Sequence, residues 1–173
     1  MKTITSLTLP HHIEELLCVL LNEVTNDEAA STCALINADD FGSNWQAKKI
    51  LASINSAAQA GRPNDVLTVS DVNAQLLQAG DLTNDSLKSY WLQLAFPTVP
   101  YRPIGKQRIS RLIARIVEDH FRTRHGEIYG RDDSHDKPLE ELTAQMSNDR
   151  EELLSIFARI RPVSLSIVKE QSA

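Results

Sequence analysis

Gln59-Ala60-Gly61-Arg62-Pro63-Asn64-Asp65-Val66-Leu67-Thr68-Val69-Ser70-Asp71, running on through Leu76-Leu77 to Gly80-Asp81-Leu82, decides how this chain is built. The stretch reads as the end of one helix, a short extended piece, and a second helix with its own start and stop. Gly61 can take the left-handed conformation that closes a helix, and Pro63 lacks the amide hydrogen that a continuing helix needs. Thr68 and Asp71 have the three-residue spacing of a reciprocal cap, and Gly80 ends the helix they begin. Several short helices punctuated in this way make an all-α domain.

Outward from this stretch, the helical period dominates. Ile13, Leu16, Leu17, Leu20, Leu21 and Val24 recur at three- and four-residue steps and predict one apolar stripe. Asn26 or Asp27 is placed to cap a short helix through Leu35 and Ile36. Asp39-Asp40-Phe41-Gly42-Ser43-Asn44 reads as a turn before a helix over 45–60, with Ile50, Leu51 and Ile54 inward. Helices near 71–79 and 85–94 complete a compact bundle over 1–96. Pro97, Pro100 and Pro103 cannot all be helical, so 97–103 is the expected boundary. Beyond it, 104–161 reads as a long two-helix hairpin. The first helix runs from Ile104 to about His125 and buries Ile109, Leu112, Ile113, Ile116, Val117 and Phe121. A polar turn spans 126–137. Pro138 then opens a second helix, whose apolar face is Leu142, Met146, Leu153, Leu154, Phe157 and Ile160. Pro162 is expected to end it, leaving 162–173 as a flexible tail.

Composition narrows the function classes. Of 173 residues, 42% are hydrophobic but only 5% aromatic, so the core must be aliphatic. No apolar run reaches the length of a bilayer, and the first ten residues carry no sustained apolar segment of a signal peptide. Cys18 and Cys33 lack a CxxC partner and read as buried, reduced thiols of a cytoplasmic protein. Gly105-Lys106 resembles the end of a phosphate-binding loop, but Pro100 and Gln107 occupy the positions where that loop needs glycine and a hydroxyl. The five histidines fall into no metal-ligand spacing. Neither a nucleophile–base set nor a dinucleotide fingerprint is present, so no enzymatic activity, cofactor or metal is expected.

Charge is unevenly placed. Between Arg102 and Arg131 stand eight basic residues against three acids, a net +5 in a chain of net −5, so the remainder carries −10. Arg108, Arg111, Arg115 and Arg122 fall on one side of the long helix. Such a row is either a solvated face, a docking face for an acidic protein partner, or a contact for a phosphate backbone. The acidic remainder weighs against extended nucleic-acid binding.

Taken together, these segments resemble the N-terminal domain of DnaB-type replicative helicases. Leu9-Pro10-His11-His12-Ile13-Glu14 with Val19-Leu20 is similar to that domain's opening helix, and Asp40-Phe41 to the pair preceding its third. Gly61-Arg62-Pro63-Asn64-Asp65-Val66-Leu67-Thr68-Val69 is similar to its Gly-x-Pro-x-Asp segment, and 76–82 to its Leu-x-x-x-Gly-x-Leu. Leu92, Leu94, Pro97 and Thr98 resemble the lead into the next helix. Leu17 and Leu21 stand where the family usually has Gln and Gly, and Gly42 where it has Tyr. The resemblance covers about 9–160 and implies that 104–160 is a linker hairpin, which in that family pairs subunits and docks primase. No motor-domain phosphate loop occurs in these residues.

The expected function is therefore that of a replication accessory protein that loads, holds or inhibits a helicase ring. The partner-binding residues would be Arg108, Arg111, Arg115 and Arg122, with Leu153 and Phe157 on the hairpin. A homodimer or higher oligomer and contact with primase are further implications of the resemblance. Two alternatives stand beside it: a fragment of a full helicase serving ring assembly, and a small DNA-binding replication protein using the basic helix.

Overall fold

The computed structural model describes residues 11–96, 103, 105–131 and 137–170. The opening Leu9-Pro10, most of the proline-rich boundary, the turn at 132–136 and the last three residues lie outside the described residues. Seven α-helices follow in order: α1 (His11–Asn22), α2 (Asn26–Ala34), α3 (Trp45–Ala60), α4 (Val69–Gln78), α5 (Asp85–Ala95), α6 (Ile109–Tyr129) and α7 (Leu139–Glu170). Three short 3-10 turns lie at Ala38–Phe41, Asp81–Thr83 and Lys106–Arg108. Among the described residues no strand forms beyond one antiparallel bridge between Thr25 and Val66. The fold is all-α, as the periodicity predicts.

Helix α1 is the centre of the bundle rather than one of its sides. Leu16, Leu17, Val19 and Leu20 have no exposed surface, and α3, α5 and α6 all pack on this helix. These four residues cover nearly half of the helical wheel at about 100° per residue, while Glu14, Glu15 and Cys18 on the other side are only half-buried. Each leucine buried there contributes about 2 kcal/mol before the entropy of ordering is counted. Trp91 of α5 is also enclosed, and its indole Nε1–H donates to Asn73 Oδ1 of α4 at 3.0 Å, satisfying the one polar atom it buries.

The caps follow the sequence with one shift. Thr68 and Asp71 form the reciprocal cap of α4. The start of α2 is capped by Thr25 with Glu28 in the same pattern, not by Asn26 or Asp27. Asn26 serves a different purpose. The 61–67 loop is stitched to the first turn of α2 by Asn26 N–H to Asp65 C=O at 2.9 Å, Asp27 N–H to Pro63 C=O at 3.1 Å and Leu67 N–H to Val24 C=O at 3.1 Å. The Asn26 Nδ2–H adds a bond to Arg62 C=O at 2.9 Å.

Gly61 corrects the expectation placed on it. Its φ is −80° and ψ 170°, an extended conformation open to any residue. Glycine is needed for space: a Cβ there would lie 2.2 Å from Asn26 Nδ2. The left-handed position is Gly80, with φ 72° just after α4.

Past residue 100 three further expectations change. The core does not divide at the prolines, because Leu112, Ile113, Ile116 and Val117 of α6 belong to the same apolar cluster as α1. The first half of α6 supplies one wall of the core around α1, beside α3 and α5. Helix α6 continues through Gly126 to Tyr129, because glycine costs an interior helix only about 1 kcal/mol. Helix α7 passes Pro162 and reaches Glu170. Proline removes one hydrogen bond at a cost of about 3 kcal/mol, which can be absorbed in a helix of 32 residues.

The Gly61 contact gives a direct test. Gly61→Ala is expected to destabilise the protein by about 1–3 kcal/mol, since the new methyl must push Asn26 off Arg62. Urea unfolding of the two proteins measures this. A variant equal to or more stable than the parent would mean that glycine is not required there.

Candidate functional site: the exposed face of the helical hairpin

The position of the hairpin is fixed by a buried carboxylate. Asp40 sits in the 3-10 turn Ala38–Phe41, where its Oδ2 accepts the Asn37 N–H at 2.8 Å. Its side chain has no exposed surface, and two further partners converge on it from elements distant in sequence. His120 of α6 approaches Oδ1 with Nδ1 at 2.8 Å, and Arg159 of α7 meets Oδ1 with Nη1 at 2.9 Å. Arg159 Nη2 contacts the second oxygen and also reaches Leu35 C=O, behind α2, at 3.3 Å. Since a carboxylate only accepts, His120 Nδ1 carries the hydrogen of this contact. Burial alone would push the Asp40 carboxyl up. The bonds from Arg159 and His120, joined by the Asn37 amide, outweigh it and hold the carboxyl below its usual value.

Ion pairs then run along the seam of α6 and α7. Arg124 grips Glu152 through Nε at 2.7 Å and Nη2 at 2.9 Å, and Arg131 Nη1 reaches Asp149 at 3.1 Å. The Arg124 hydrogen bond keeps the Glu152 carboxyl low. With Phe121 facing Phe157 at 6.0 Å between ring centres, the partners run in opposite sequence directions, so the hairpin is antiparallel. The seam is partly solvated and each such pair adds little to stability. It sets the roll of α7 instead.

That roll decides what solvent meets. At about 100° per residue, Gln145, Asp149, Glu152, Ile156 and Arg159 form the inward side of α7. Ile156 is buried at 5% exposure, although the apolar spacing passes over it. Of the face expected to be covered, Leu142, Leu153 and Ile160 are half-buried, whereas Met146 is 72% exposed, Leu154 53% and Phe157 48%. With Phe121, Leu142 and Leu153 they border a groove of about 520 Å³ between the helices. Tyr129, 73% exposed, extends it at the far end, stacked 4.4 Å from His125. These side chains leave an uncovered apolar surface along the groove.

The basic row is less basic than it reads. Arg108 lies in the 3-10 turn ahead of α6, while Arg111, Arg115 and Arg122 follow on the helix, all exposed. Arg115 bonds Glu118 at 3.3 Å, and Arg122 bonds the same Glu118 at 2.6 Å, with Asp119 at 3.5 Å. Arg108 and Arg111 form no ion pair with a described residue, so they alone keep their charge free. Leu153 and Phe157 belong to the groove. The arginine row and these two residues therefore occupy different places, and no described contact joins them.

Both cysteines are free; Cys33 is buried, which pushes its thiol up to about 12. No group of three or more His, Cys, Asp or Glu is placed to hold a metal ion among the described residues, and no described helix is long and apolar enough to cross a membrane. Compared with protein-family models, with characterised proteins and with solved structures, the chain matches none.

The buried carboxylate makes stability depend on pH in a definite sense. Its folded titration lies below that of the unfolded chain, about 3.9. The stabilisation is therefore present above that pH and is lost as pH falls through the folded value. Asp40→Asn is expected to cost about 3–5 kcal/mol at pH 7, leaving Arg159 uncompensated, and to flatten the acid limb of the stability curve. Chemical denaturation from pH 7 down to pH 3 tests this, and parallel curves for the two proteins would refute it.

Proposed function

We propose that this chain is an all-helical docking module of DNA replication that binds a DnaB-type replicative helicase, as an adaptor that loads, holds or inhibits the ring. The observation that carries the reading is the exposed groove of α6 and α7. It lies in the segment that the resemblance assigns to subunit pairing and primase docking, and it leaves Met146, Leu154 and Phe157 uncovered. Helix-in-groove docking onto an amphipathic helix of the ring would cover them. Arg108 and Arg111, exposed and without an ion pair among the described residues, would meet acidic groups of the same partner. A cytoplasmic setting, self-association through the hairpin and contact with primase belong to this proposal. No catalytic step is assigned to it.

Direct DNA binding through α6 is the weaker reading. Arg115 and Arg122 share Glu118, while Arg124 and Arg131 are matched by Glu152 and Asp149 of α7. Little of the +5 seen in the sequence therefore faces a phosphate backbone.

Mixing the purified chain with a hexameric DnaB-type helicase from the same cell is expected to give a defined complex by light scattering at micromolar concentration. Phe157→Asp, at a half-exposed position, is expected to weaken that complex at least roughly tenfold while leaving the thermal midpoint within a few degrees. Absence of a complex with the parent chain would overturn the proposal. An unaffected complex with Phe157→Asp would remove the groove from it.

A further inference from the structure

A second concavity lies on the other side of the bundle, between the end of α3, the 61–68 loop and α4. It has a volume of about 420 Å³. Ala57, Ala60 and Ala74 form a small apolar part of its wall, while Asn26, Asp65, Thr68, Asp71 and Gln75 give it polar groups. Asn26 is only 4% exposed, and its Nδ2–H bond to Arg62 C=O fixes which end of the amide is the oxygen. That oxygen, Oδ1, is buried with no donor among the described residues. Buried acceptors are almost always paired, so an orphan at the edge of a cleft points to a missing donor.

Charge around the cleft selects the kind of donor. Asp65 is exposed and makes no side-chain bond to a described residue. Asp71 uses Oδ2 for the Thr68 amide at 3.0 Å and the Thr68 hydroxyl at 2.6 Å, and Oδ1 has no described partner. Against these two carboxylates the lining holds one cation, Arg62. We propose that the cleft receives a basic side chain, guanidinium or ammonium, presented by a partner protein. The alanine part of the wall fits its methylene stem, the carboxylates of Asp65 and Asp71 meet its charge, and Asn26 Oδ1 accepts one of its N–H groups. This site shares no residue with the hairpin groove and does not rest on the helicase reading.

The test uses the full 15N-labelled chain and three capped residues, acetyl-arginine-amide, acetyl-lysine-amide and acetyl-norleucine-amide, with spermidine as a free polyamine. Saturable shifts of the Gly61, Arg62, Val66 and Thr68 amides are expected with the arginine or lysine probe, with roughly millimolar affinity, and none with norleucine. Asp65→Asn leaves the backbone stitching intact and is expected to weaken the response about threefold. Shifts that never saturate, or an equal response to norleucine, would mean that an ordered water satisfies Asn26 and that no site exists. Tighter binding of spermidine than of either capped cation would overturn the assignment to a protein side chain.

Discussion

A carboxylate with no exposed surface holds this molecule together. Moving such a group from water into a protein interior costs several kcal/mol even after relaxation, and only close, well-directed partners return it. Asp40 obtains them from three places: the Asn37 amide beside it, His120 from α6 and Arg159 from α7. The consequence reaches beyond the turn. Once Arg159 must face inward, the roll of α7 is set, and the apolar side chains about 100° around the wheel must face outward. The groove exists because the ion pair and the apolar stripe lie on different sides of the same helix.

This also explains which parts of the fold can be read from the residues. Local rules act within three or four positions, so the Thr68–Asp71 cap, the stop at Gly80 and the helices around them are written where they act. Gly61 is also marked in the sequence, but for the reason that a side chain 35 positions away needs its space, which no local rule encodes. Asp40, His120 and Arg159 are separated by 80 and 119 positions, and before folding each resembles an ordinary surface charge. The same limit explains why only half of the expected face of α7 is covered. Period alone finds Met146, Leu154 and Phe157, but not the ionic partners that turn Ile156 inward and leave those three exposed.

Charge asymmetry along a chain is likewise a poor guide to charge on a surface. Helix α6 gathers the arginines and α7 the acids, and antiparallel packing brings Arg124 to Glu152 and Arg131 to Asp149. Among the described residues, the field of the hairpin is therefore that of a mixed seam, with Arg108 and Arg111 unpaired at one end and Arg150 unpaired beside the groove. Long-range steering falls with net charge.

Helix α2 connects the two surfaces, and its own weakness shows why both are ordered. It has nine residues, among them Asn26, Asp27, Ser31 and Thr32, which favour caps and turns over helix interiors. Alone it would be too short to persist in water. Its first turn is secured by the Thr25–Glu28 cap and by the 61–67 loop, and the carbonyl behind its last turn, Leu35, accepts from Arg159. Neither end holds without elements that also build a surface: the loop that edges the cleft at one end, and the helix that edges the groove at the other. A change that frees Arg159 thus loosens the same helix that presents Asn26. The two concavities share one support, the short helix and its borrowed contacts.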